Sequence, residues 1–192
     1  MAAGARDSDG VSPAGPRCNL FFALRPPAKV QARAAALAQV VRRTHDLPGR
    51  IASGDLQYVT LFFLGNHATV PPKLVADAQA AAASLIAAPF DLSFDQVDSF
   101  GSRIRPAIVL RNGADISAWV KFHRLLGIAL TRAGLRQWVK SQVPHLALFY
   151  TDEVIDACPV EPIGWRVTDF VLVESLVGRS EHRELGRWPL EG

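Results

Sequence analysis

The chain has 192 residues, 49% hydrophobic and 20% charged, with a net charge of +3 and a pI near 9.2. That is enough for one substantial core or two small lobes sharing one. There is no uninterrupted apolar run of about 18 residues, so no membrane span is expected. Cys18 and Cys158 are the only cysteines, so neither a disulfide framework nor a metal cluster is expected, and the cytoplasm is the default compartment. The mild basicity suits an anionic substrate.

Residues 1–17, rich in Ala, Gly, Ser and Pro, read as a disordered leader ahead of a single two-lobed domain over 18–192. NLFFAL (19–24) is short, apolar and aromatic and stops at Pro26-Pro27, so it predicts a buried strand. Residues 28–45 place Val30, Ala34, Leu37, Val40 and Val41 at helical spacing, and Leu47-Pro48-Gly49 ends that helix. YVTLFFL (58–64) is a β-branched and aromatic strand closed by Gly65-Asn66. An Ala-rich helix follows over 71–88, then an alternating strand over 90–97 and a further strand at 106–110. A third helix over 115–133 carries Ile116, Val120, Leu125 and Ile128 on its apolar side. HLALFY (145–150), WRVTDFVLVESL (165–176) and 184–190 complete the set as strands. The class is α+β, with mostly antiparallel sheets and helices packed on one face. A helix precedes both YVTLFFL and HLALFY, a loose internal repeat.

Four blocks, in order, carry a family resemblance: NLFFALRPP at 19–27, VTLFFLG at 59–65, PHLALFY at 144–150, and residues 161–190 as a closing hairpin. Together they resemble the two-histidine phosphoesterases, in particular the bacterial RNA 2′,3′-cyclic phosphodiesterase (2′-5′ RNA ligase-like) family, whose members carry two His-x-Thr/Ser motifs in apolar strands. The resemblance implies a bilobal pair of antiparallel β-sheets with helices outside and a pseudo-two-fold duplication around a central cleft. It implies hydrolysis of a terminal 2′,3′-cyclic phosphate to a 2′-phosphate, without metal or cofactor, on RNA ends or cyclic-phosphate nucleotides; a monomer is expected. The motifs depart from the pattern. The first reads Tyr58-Val59-Thr60, with Tyr58 at the histidine position, and the second reads His145-Leu146-Ala147, with Ala147 at the hydroxyl position. Tyr150 stands where some members carry a basic residue.

Opening a cyclic phosphate needs a base for the attacking water and an acid for the departing ribose oxygen. Imidazoles titrating near neutrality suit both roles. A hydroxyl two residues along a strand shares its face with the histidine and can donate to a phosphoryl oxygen. On this pattern His145 is the base, Thr60 the phosphate donor and Tyr58 a substitute acid, since a phenol is protonated at neutral pH. With two motif residues changed, catalysis is expected to be slowed or lost, and a noncatalytic module binding RNA ends or nucleotides is the competing expectation. A different small phosphodiester or cyclic nucleotide as substrate is a third.

Arg103 and Arg105 alternate in GSRIRP and are the candidates for substrate phosphates; a solvated strand edge fits them equally. Without the resemblance, His145 also fits a hydrogen-bonded core histidine, and Tyr58 and Thr60 fit strand packing. Of Phe62 and Phe63, either could stack a base, but at least one belongs to the core. His45 is read as a helix cap, His67 as a turn residue, and His123 and His182 as solvated, the last in a polar turn.

Overall fold

The computed structural model describes residues 17–52, 54–101, 105–113, 115–140 and 142–192. The leader expected over 1–17 therefore lies, but for Arg17, outside the described residues. Strand β1 (Cys18–Leu24) is buried on both faces, which is why it reads as an unbroken apolar run. Leu20, Phe22 and Leu24 enter the main core, while Phe21 and Ala23 form a second, smaller cluster on the opposite face with Val171 and Val173. Pro27 caps helix α1 (Ala28–Thr44), which buries Val30, Ala34, Ala38 and Val41 and leaves Val40 exposed. Asp46 takes a left-handed conformation (φ 50°) just past the cap residue His45. The Leu47 amide then donates to the Arg42 carbonyl at 2.9 Å and closes the helix end.

Strand β2 (Val59–His67) runs past the expected stop at Gly65-Asn66. Gly65 sits at φ +106° in a bulge, and a Cβ there would lie 2.7 Å from the Trp138 ring. The remaining elements are α2 (Pro72–Ala83), β3 (Phe90–Phe100), β4 (Ala107–Arg111), α3 (Ser117–Arg132), β5 (His145–Tyr150), β6 (Cys158–Val167), β7 (Asp169–Leu176) and β8 (Glu181–Pro189). Two points differ from the sequence expectation. Residues 165–176 are not one strand: the chain leaves β6 in one sheet and enters β7 in the other at Thr168. β6 begins at Cys158 despite Pro159 and Pro162, which an edge strand tolerates because one row of its N–H groups is unpaired. In α3 the buried stripe is Trp119, Phe122, Leu126, Ala129 and Leu130, while Val120 and Ile128 face outward.

The strands form two antiparallel four-stranded sheets, ordered β2-β1-β7-β8 and β5-β4-β3-β6. The unit β1–α1–β2 recurs as β4–α3–β5, with β2 and β5 at corresponding edges and in contact. α1 packs on β5 and β6 of the second sheet, while α3 touches both sheets: it packs on β3, with Phe122 between Phe90 of β3 and Phe170 of β7, and sets His123 against Phe62 of β2. One core thus runs through both lobes. Among the described residues no helix is long and apolar enough to cross a membrane.

Phe22 is fully buried against Phe170 and Trp188. Phe22→Ala is expected to cost about 3–5 kcal/mol of unfolding free energy, measured by denaturant titration. A loss below about 1 kcal/mol would show that this aromatic cluster is not packed as described.

Candidate active site

The period of a strand sorts each motif strand into two faces. On β2, Val59, Leu61 and Leu64 are fully buried in the core; on β5, Leu146 and Leu148 are. Thr60 and Ala147 are therefore turned to the opposite side, into one cleft. Both strands also carry a bulge at the same place. The pairing of β1 with β2 steps from Phe22↔Phe62 to Ala23↔Thr60 and skips Leu61. That of β4 with β5 steps from Ile108↔Phe149 to Val109↔Ala147 and skips Leu148. Each bulge follows the motif's third residue, where extra local twist re-aims the neighbouring side chains.

The cleft has a volume of about 620 Å³. Its floor on the first sheet is Asn19, Phe21, Thr60, Phe63, Ser175 and His182. The second sheet and its approach supply Arg105, Ala147, Phe149 and Tyr150, and the segment after α1 adds Arg50 and Ile51. Two arginines and no carboxylate line it among the described residues, so its charge favours an anion. Arg105 lies 5.9 Å from the centre of the Tyr150 ring, in cation–π range, in the bend before β4. Arg103 lies outside the described residues. Phe63 is exposed at the cleft, while Phe62 is core and stacks on His123.

Thr60, Ala147, Tyr150 and Arg105 thus come together; Tyr58 and His145 flank the cleft without lining it. The Tyr58 ring lies against two residues that do line it, with centroids 6.1 Å from Phe21 and 5.2 Å from His182. His145 precedes Ala147 on the same face of β5, and its ring centroid is 4.3 Å from that of Phe100. Its Nδ1–H donates to the Val143 carbonyl at 2.8 Å, since a carbonyl can only accept. That fixes the tautomer and leaves Nε2 as the acceptor. Burial holds the His145 imidazole below its ordinary pKa; the Val143 bond opposes this, and the Arg111 charge on the adjoining strand adds to it. Arg111 is itself paired with Asp98. The ring is therefore neutral at neutral pH, the form a base requires.

Three other histidines depart from expectation. His67 belongs to β2 rather than a turn, and its Nε2–H donates to the Leu64 carbonyl at 2.9 Å. His123 is not solvated: it stacks on Phe62 (centroids 4.0 Å apart) and donates from Nε2 to the Leu61 carbonyl at 2.9 Å. His182 is not in a polar turn; it opens β8 and lines the cleft. The expected strand boundary at 184 hid it, because Glu181, His182 and Arg183 are all polar and give no apolar alternation. His45 is the C-cap of α1, as expected.

The two antiparallel sheets turn corresponding edge strands to one cationic cleft, an arrangement suited to an anionic ligand. The model of the 2′-5′ RNA ligase superfamily matches residues 26–179, and the chain belongs to that superfamily, a branch of the two-histidine phosphoesterases. Among solved structures, E. coli LigT complexed with 3′-AMP is similar over 92% of this chain and 99% of its own, at 25% identity and a TM-score of 0.69. TT0787 of Thermus thermophilus is similar over 91% and 98%, at 20% identity and a TM-score of 0.71. A structure described as a phosphoesterase matches over 92% and 99%, at 24% identity and a TM-score of 0.68. No curated protein matches the chain.

Burial lowers the pKa values of His123, His145 and His182 from an ordinary 6.5. The unfolded chain then binds more protons than the folded one below about pH 6.5, so the stability these rings contribute is present above that pH and lost as pH falls. The melting temperature is expected to hold between pH 8 and 7 and to drop below about pH 6.5. In His123→Gln the drop should be shallower; an unchanged slope would show that His123 takes no part.

Proposed function

We propose that the chain is a metal-independent phosphodiesterase that opens a 2′,3′-cyclic phosphate on an RNA end or nucleotide to give a 2′-phosphate. The observation that carries this reading is the meeting of Thr60 and Ala147, third residues of the two motif strands, in one cleft lined by Arg50 and Arg105 and by no carboxylate among the described residues. Thr60 donates to a nonbridging phosphoryl oxygen, where charge builds in the transition state. The arginines hold the anion, and Arg105 can also meet it along the Tyr150 face. His145, its tautomer fixed by Val143, takes the proton of the attacking water at Nε2. The departing ribose oxygen needs a proton from the opposite side, a role that falls by the motif pattern to the position of Tyr58, which packs on the cleft residues Phe21 and His182. The 3′-AMP complex of E. coli LigT supports a nucleotide as ligand. On this reading the protein works as a cytoplasmic monomer.

A noncatalytic module that holds RNA ends or nucleotides is the second reading, favoured by Ala147 in place of a hydroxyl. Hydrolysis of 2′,3′-cyclic AMP, followed by 31P NMR, separates the two. The parent is expected to turn over to 2′-AMP, His145→Ala to lose about 10²–10⁴ in kcat, and Thr60→Val about 10²–10³. Full activity in His145→Ala would end its assignment as base. Ala147→Thr restores the second donor and is expected to raise the parent's rate. Binding without turnover, in the parent and in Ala147→Thr alike, selects the noncatalytic module.

A further inference from the structure

The first motif lacks its histidine, yet an imidazole stands beside the residue that replaced it. His182, at the start of β8, comes from the far edge of the first sheet. Its ring centroid lies 5.2 Å from that of Tyr58 and 5.9 Å from that of Phe21. It lines the same cleft as Thr60 and Ala147, accompanied by Ser175, its cross-strand partner, and Ser180 from the β7–β8 turn.

The ring's setting is unusual for a structural histidine. His67, His123 and His145 each place a ring nitrogen on a backbone carbonyl. His182 does not: its Nδ1 is buried with no hydrogen-bond partner among the described residues. Aromatic contacts with Phe21 and Tyr58 hold the ring instead, and it remains at the wall of a cleft with cationic residues. A buried nitrogen without a partner is uncommon, and a reactive role is one reason for it.

We propose that His182 is the second imidazole of this site: it faces the scissile phosphate from the Tyr58 side and supplies the proton to the departing ribose oxygen. The proposal rests on the phosphodiesterase reading above. The water oxygen bonds to phosphorus while its proton passes to Nε2 of His145. The P–O3′ bond breaks, and O3′ keeps the electron pair and takes the proton from Nε2 of the His182 imidazolium, since Nδ1 is buried. A 2′-phosphate and a free 3′-hydroxyl result, and proton exchange with water resets both rings. A phosphate anion in the cleft favours the charged ring, offsetting its burial. Tyr58 then acts as a positioning residue, packing the His182 ring.

The test uses the full chain with 2′,3′-cyclic AMP as substrate and His182→Gln and His182→Asn as variants, each checked for an unchanged melting temperature and circular dichroism. With an active parent, a kcat lower by about 10²- to 10⁴-fold with KM within a few-fold supports the proposal. Unchanged kcat in a folded variant overturns it and leaves the phosphodiesterase reading intact. If the parent does not turn over, that reading falls and the proton-donor role with it. The ring's placement is then judged by NMR of the histidine imidazoles during titration with 2′-AMP. Protonation of the His182 ring on binding, with weaker 2′-AMP affinity in the variants, supports its facing the phosphate; unmoved His182 signals at saturation overturn that too.

Discussion

Everything about this site depends on which way two leucines point. Leu61 and Leu148 are fully buried, one residue past Thr60 and Ala147, and each is the unpaired residue of a bulge. Burying a leucine side chain is worth roughly 1.5–3 kcal/mol relative to leaving it exposed. A one-residue slip of either strand would forfeit that burial and turn the motif into the core. The core thus fixes the register, and the register fixes which side chains meet in the cleft. That this happens on both strands at the same motif position, each following a β–α unit, gives the duplication its physical meaning. The strands at the corresponding sheet edges present equivalent residues to one space.

The helices tie the two lobes together. α1 follows β1 of the first sheet but packs on β5 and β6 of the second, and α3 touches both sheets, packing on β3 while its Phe122 and His123 reach Phe170 and Phe62 of the first. The cleft between them is therefore held by the shared core. It is also pre-set electrostatically, with Arg50 and Arg105 at its wall. Groups already arranged for an anion need little reorganisation when charge develops on it.

Short-range signals in the chain carried much of this. NLFFAL, YVTLFFL and HLALFY each concentrate apolar and β-branched residues between breakers, so β1, β2 and β5 were legible, their starts within a residue or so, and α1 from its i, i+4 stripe. The four blocks carried the superfamily. β6 was not legible in full, because Pro159 and Pro162 argue against a strand unless one knows it lies at an edge. The division of 165–176 was hidden because Thr168 marks a change of sheet, and both segments keep strand-like composition on either side of it.

Period and composition are local properties of a chain, so the superfamily, the order of its parts and the strand positions of Thr60, His145 and Ala147 are legible in the residues alone. Which residues stand side by side is set by the packing of distant elements. His123, a helix-face residue by sequence, is half-buried on Phe62 because α3 also reaches β2 of the first sheet. His182 and Tyr58, far apart in sequence and on opposite edges of one sheet, meet over Phe21 because their side chains converge on the same face. Contacts of that kind arise from the packing of distant strands, and no periodicity along the chain encodes them.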